Sequence, residues 1–328
     1  EKGWLIVGDW CVLKTALCHL LGIEHPIIQG GMMWVGTAEL AVAVSSAGGL
    51  GIIGAGNSGP DWVREQIHLT RRWTDRPFGV NILTTSPAAG EVVAVVREEK
   101  VPVVTTGSGS PEAYVSRFKQ AGIKVMAVVA DASMARRMER AGVDAVIAEG
   151  TEAAGEVGET TTMVLVPRVV DSVSIPVVAA GGIGDGRGLA AALALGAQGV
   201  QVGTRFVCSE ECIAHPRYKE RIIQAQDGST VITGQVQRRA VRSLSNRLTH
   251  EFQELEKAGA SGEELALFSR DRTYLGLVEG NLDDGLLLSG QVAALIGEIK
   301  PVGAIVNEMV TEAEAIISGL NRGGMGGG

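Results

Sequence analysis

Eight short apolar runs recur along this 328-residue chain, at 26–31 (PIIQGG), 50–54 (LGIIG), 78–83 (FGVNIL), 102–107 (PVVTTG), 124–129 (KVMAVV), 145–150 (AVIAEG), 176–182 (PVVAAGG) and 199–206 (GVQVGTRF). Most are rich in valine and isoleucine and lack polar alternation, the pattern of parallel strands covered on both faces. Helical stretches fill the intervals, and several stop at Ala-Gly or Leu-Gly. Gly48, Gly122, Gly142 and Gly196 occupy the position where glycine ends a helix in a left-handed conformation. The runs start 21–31 residues apart, the length of a strand, a crossover helix and two loops. Eight such units predict an α/β fold, a (β/α)8 TIM barrel, with a helical insertion after the eighth strand. An open doubly wound sheet would show a G-x-G-x-x-G turn after its first strand, and none is present.

The predicted organisation is an N-terminal extension at 1–13, barrel strands within 14–206, a helical insertion that covers substrate at 207–288, C-terminal helices that complete the barrel at 289–320, and a flexible Gly-rich tail at 321–328. Net charge −8 disfavours a general nucleic-acid binder, which needs a concentrated basic surface. No uninterrupted apolar stretch has the length of a membrane span. Cys11, Cys18, Cys208 and Cys212 have neither a zinc-ligand spacing nor the density of a disulfide framework, so no metal is expected and a reducing cytoplasm fits best.

Chemistry concentrates at the ends of the last two runs. In AAGGIGDGRG (179–188) and GVQVGTRF (199–206), glycines bare the backbone N–H groups that can surround a phosphate, at the strand ends where barrels commonly hold one. Gly181, Gly182, Gly203 and Thr204 are the expected grip. Gln29, Gly30, Gly31, Met32, Asn81, Thr105, Thr106 and Glu149 end other runs and are expected at the same mouth, a mixture suited to a flat heterocycle.

The segments PIIQGGMMW, AGGLGIIGAGN, PFGVNIL, VVTTGSGSP, DAVIAEGTEA, TTMVLVPRVV, IPVVAAGGIGDG and VQVGTRF resemble the flavin-dependent enoyl-acyl-carrier-protein reductases of the FabK type, within the nitronate monooxygenase (2-nitropropane dioxygenase-like) superfamily. The likeness runs from about Thr15 to Leu320. It implies FMN as cofactor, NADH or NADPH as co-substrate, and reduction of an enoyl thioester on acyl carrier protein or CoA in fatty-acid synthesis. It also implies that Gly31, Met32 and Asn81 line the flavin ring, that Gly30 is cofactor-binding, that Glu149 and Gly150 stand at the sixth-strand cofactor position, and that Gly181, Gly182, Gly203 and Thr204 hold phosphate. A nitronate monooxygenase using FMN and O2 is the alternative chemistry, and an FMN-binding protein with weak catalysis is a third reading. A homodimer is compatible with all three.

One departure stands out. The family pattern EGxEAGGHxG reads EGTEAAGEVG here, so Ala154 replaces a glycine and Glu156 replaces the histidine expected to handle a proton. Glu156 is open to three readings: substitute acid, solvated loop residue, or lesion in catalysis. Of the histidines, His215 in AHPRYK is the candidate to replace the missing imidazole, its alternative being a helix start before Pro216. Arg71, Arg72, Arg238, Arg239, Arg242 and Arg247 are either a docking patch for an acidic carrier protein or a solvated face with local acidic partners.

Overall fold

In the computed structural model, residues 13–236 and 239–323 are described. The strands are β1 (Ile27–Gln29), β2 (Gly51–Gly54), β3 (Phe78–Leu83), β4 (Val103–Gly107), β5 (Lys124–Val129), β6 (Ala145–Glu149), β7 (Gly155–Glu156), β8 (Val177–Ala180), β9 (Gly199–Val202), β10 (Thr230–Thr233) and β11 (Val241–Leu244). Eight of them form one parallel sheet in the order β1-β9-β8-β6-β5-β4-β3-β2, one from each apolar run. An Ile28–Leu50 bridge brings the two ends together. The Gln29 carboxamide reinforces this closure, donating to the Ile52 carbonyl at 2.7 Å and accepting from its N–H at 3.2 Å. The fold is a (β/α)8 barrel. Gly48, Gly122, Gly142 and Gly196 all have positive φ, between 75° and 93°, at the helix ends where the sequence expects them.

Strand alternation divides the core in two. Ile28, Ile52, Met126, Ile147, Val178 and Ala180 pack inside the barrel with Leu17, Cys18 and Leu21 of the helix Ala16–Leu21. That helix plugs the end at which the strands begin. Ile27, Ile53, Val80, Val104, Val125, Val146 and Val200 point outward under the surrounding helices. Gly51 faces outward where the helix Ala38–Ser46 comes closest, since a Cβ there would lie 1.9 Å from the Ala41 carbonyl oxygen.

After β9 the chain makes the short helix Thr204–Val207 and then the helices Pro216–Ile223, Arg247–Lys257, Gly262–Phe268 and Arg272–Leu277. This region also holds β10 and β11, which the apolar rhythm does not signal. β11 pairs antiparallel with β10 and with β7, tying the region to the loop after β6. The helix Val302–Gly323 packs along the helix Gly186–Ala194, and the Gly186 N–H donates to Glu312 at 2.8 Å. Of the expected N-terminal extension only Leu13 is among the described residues, and it is fully buried. Cys11 and Arg238 lie outside them, as do tail residues 324–328. Cys18, Cys208 and Cys212 are buried free thiols. Among the described residues no helix is long and apolar enough to cross a membrane.

Candidate active site

The plug leaves one end of the barrel for chemistry, and there a cavity of about 920 Å³ opens at the C-terminal ends of the strands. Alternation decides who faces it. On β6, Ala145 and Ile147 point inward and Val146 and Ala148 outward, which turns Glu149 toward the axis. Asn81 reaches the cavity by the same rule on β3. Its amide donates to Thr105 Oγ1 at 3.0 Å, so Thr105 orients it from below. Gln29 and Thr106 have the opposite parity. The first is spent on closing the barrel, and neither these two nor Thr105 lines the cavity, which corrects the expected place of all three at the mouth.

Gly30, Gly31, Met32, Gly181, Gly182, Gly203 and Thr204 all line the cavity. Gly31 must be glycine because a Cβ would sit 2.2 Å from Asn81 Cγ. Gly181 and Gly182 hold φ of 97° and 72°, in the left-handed region. The N–H groups of Gly181, Gly182, Gly203 and Thr204 donate to no acceptor among the described residues. Four unused amides around one wall of a cavity suit an anion such as a phosphate. Thr204 Oγ1 accepts from the Gly290 N–H at 3.0 Å, which fixes this wall to the chain beyond the insertion.

Gly150 belongs to the same loop but faces away from the cavity. A Cβ there would lie 2.1 Å from Thr162 Oγ1, so its role is close packing against the helix Thr162–Val170. Glu152, a residue sequence reasoning did not single out, accepts from the Thr162 N–H at 2.9 Å and from its hydroxyl at 2.9 Å. The carboxylate thus satisfies orphan donors at the helix start and pins the loop that carries Glu149. Thr162 ten residues after Glu152 was the available signal: a threonine entering an apolar run.

Three carboxylates therefore surround this region, each in a different situation. Glu152 is committed to Thr162. Glu156, on β7, has a 45% exposed side chain with Arg239 at 3.9 Å. Glu149 lines the cavity, partly buried, without an ion-pair or hydrogen-bond partner among the described residues. Burial, and then the Glu156 charge, push its carboxyl up to about 8.

His215 is not at the cavity. It caps the helix Pro216–Ile223, its Nδ1 accepting from the Arg217 N–H at 3.2 Å, and its ring packs so closely on Gly280 that a Cβ there would approach to 2.2 Å. The candidate replacement imidazole is a structural cap. The arginines likewise do not form one face: Arg71 pairs with Glu99 and Arg247 with Asp284. Arg242 is buried, donating to the Thr151 carbonyl at 2.8 Å and to Thr230 Oγ1 at 2.9 Å. The insertion adds the apolar lining residues Tyr218, Leu248, Phe252, Leu265, Leu286 and Leu288.

A barrel whose last two strand ends carry free amides, in a cavity also lined by apolar side chains and a carboxyl, has room for an anionic group beside a less polar one. The sequence model of the nitronate monooxygenase family matches residues 14–99 and 89–312, and the chain belongs to this oxidoreductase family. Among solved structures it is similar to FabK from Thermotoga maritima, with 49% identity and a TM-score of 0.92, covering 94% of this chain and 99% of that one. Nitroalkane oxidase from Streptomyces ansochromogenes follows at 29% identity and a TM-score of 0.81, covering 93% and 100%. A Mycobacterium tuberculosis (3aS,4S,5R,7aS)-5-hydroxy-7a-methyl-1-oxo-octahydro-1H-indene-4-carboxyl-CoA dehydrogenase is 35% identical, over 92% of this chain and 96% of the relative. A probable nitronate monooxygenase of Staphylococcus saprophyticus is also 35% identical, over 74% and 82%.

Proposed function

We propose that the chain is an FMN-dependent reductase of the 2,3-double bond of enoyl thioesters carried on acyl carrier protein or CoA, with NADH or NADPH as reductant. The observation that carries this reading is the pairing, in one cavity, of a four-amide anion cradle with an apolar wall built from the insertion. The cradle fits the FMN phosphate. Gly31, lacking a Cβ, leaves room for a flat ring beside Asn81, whose free carboxamide oxygen can accept from a ring N–H. Bound FMN would supply the hydride chemistry, taking a hydride from the nicotinamide and passing one to the β carbon of the substrate. The wall of Leu248, Phe252, Leu265 and Leu288 fits the tail of an acyl chain. Likeness to FabK and to a carboxyl-CoA dehydrogenase supports a thioester as the substrate.

The purified protein should show a yellow flavin spectrum, bleach under anaerobic NADH or NADPH, and regain colour on addition of an enoyl thioester. Bleaching followed by no recovery with enoyl thioesters of any chain length would sink the reading. The second reading, nitronate oxidation with O2, is favoured by the family match and by the Staphylococcus relative. It predicts oxygen uptake on addition of a nitronate without any nicotinamide. Flavin that binds but exchanges electrons with neither substrate would leave FMN binding with weak catalysis, the outcome that a half-exposed Glu156 in place of histidine favours.

A further inference from the structure

Reduction of an enoyl thioester adds a hydride at the β carbon and a proton at the α carbon, and the histidine that the family pattern offers for the proton is Glu156 here. We propose that Glu149 is the acid that delivers this proton, an assignment that rests on the reductase reading. Among the described residues, the charged groups lining the cavity are Glu149, Glu152, Glu156 and Arg239. Glu152 is excluded because its carboxylate is consumed by the Thr162 N–H and hydroxyl, with the positive Arg242 near it. Glu156 is excluded by its place: its side chain is 45% exposed and turned to the Arg239 guanidinium at 3.9 Å. Arg239 is a poor acid at any physiological pH.

Glu149 has what the others lack. Inward parity on β6 aims it into the cavity above Ile147, no cation among the described residues pairs with it, and the loop behind it is pinned by Glu152. With its carboxyl raised to about 8, it holds its proton at neutral pH. In the step, the O–H bond of Glu149 breaks as a C–H bond forms at the α carbon, where the electron pair has arrived with hydride addition at the β carbon. The reductant is the nicotinamide. The carboxylate left behind regains a proton from water at the cavity mouth, and the nearby Glu156 charge favours that return.

Three measurements on the FMN-loaded full chain test this. For E149Q, which keeps the shape and loses the proton, turnover of enoyl thioester should fall about 100-fold or more, while the rate of flavin bleaching by nicotinamide stays within about threefold. Wild-type turnover should fall as pH rises through about 8, and the absorbance of bound flavin should show an inflection in the same range that E149Q lacks. E156Q removes the charge that favours protonation of Glu149, so it should move both the inflection and the alkaline limb to lower pH. E149Q turning over within threefold of wild type, or E156Q abolishing turnover without moving the inflection, overturns the assignment. An inactive wild type would instead remove the reductase reading beneath it.

Discussion

Gly203→Asp should give a protein that folds as the parent does but purifies almost colourless, with FMN affinity reduced about 100-fold or more, or about 2.7 kcal/mol. The backbone permits the change, since φ at Gly203 is −111° and a Cβ there would meet only Met32 Sδ, at 3.9 Å. The new carboxylate would stand among the amides that we assign to phosphate, placing like charges together. Two readouts separate the causes. Thermal unfolding of the flavin-free chain should shift by no more than a few degrees, while fluorescence titration with FMN should show the weakened affinity. A variant as yellow as the wild type after dialysis would mean that the phosphate is held elsewhere.

Gly150→Ala should do the opposite, damaging the fold through one methyl group. Its φ is not in the left-handed region, so backbone strain is no part of the effect. The methyl carbon would lie 2.1 Å from Thr162 Oγ1, 2.5 Å from Thr162 N and 2.7 Å from Glu152 Oε2. Relief requires the helix Thr162–Val170 to retreat or Glu152 to release it, and either opens the loop that presents Glu149. We expect a loss of about 2–4 kcal/mol, read as a thermal midpoint lowered by roughly 5–10 °C. A midpoint within about 2 °C of wild type would show that the loop yields freely, and that Gly150 is not the contact which sets its position.

The contrast between these two glycines shows where sequence reasoning reached its limit. Valine and isoleucine runs with glycine-stopped helices between them specify a buried parallel sheet, and the eight barrel strands fall inside the eight runs. Strand ends were legible too, because the chain must turn there. What the runs alone do not express is which side of the strand each terminal residue faces. Counting parity from the inward Ala145 and Ile147 separates Glu149 from Gly150, and counting from the inward Ile28 separates Gln29 from Gly30. The outward members brace the barrel or its helices, whereas the inward ones meet the cavity.

Other features were hidden for a different reason. β7 is two residues long and owes its existence to pairing with β11, some 85 residues away, so no local pattern announces it. His215 looked available because it lies in the insertion after the eighth strand, from which it could approach the mouth, but its partners are a backbone N–H two residues on and the surface of Gly280. The commitment of Glu152 to Thr162 is likewise a tertiary fact, and without it the three acidic residues between 149 and 156 cannot be ranked.

The helix Ala16–Leu21, which fills the barrel where its strands begin, has a consequence for the order of events. It closes the barrel at the strand starts, and the cavity lies at the other end. A dinucleotide donor and a thioester acceptor that need the same wall must enter and leave in turn, so the first product has to depart before the second substrate arrives. Under the reductase reading, initial rates measured against both substrates should give parallel lines in double-reciprocal form, and each substrate at high concentration should inhibit by occupying the doorway meant for the other. Intersecting lines would mean that the insertion lifts far enough to admit both at once.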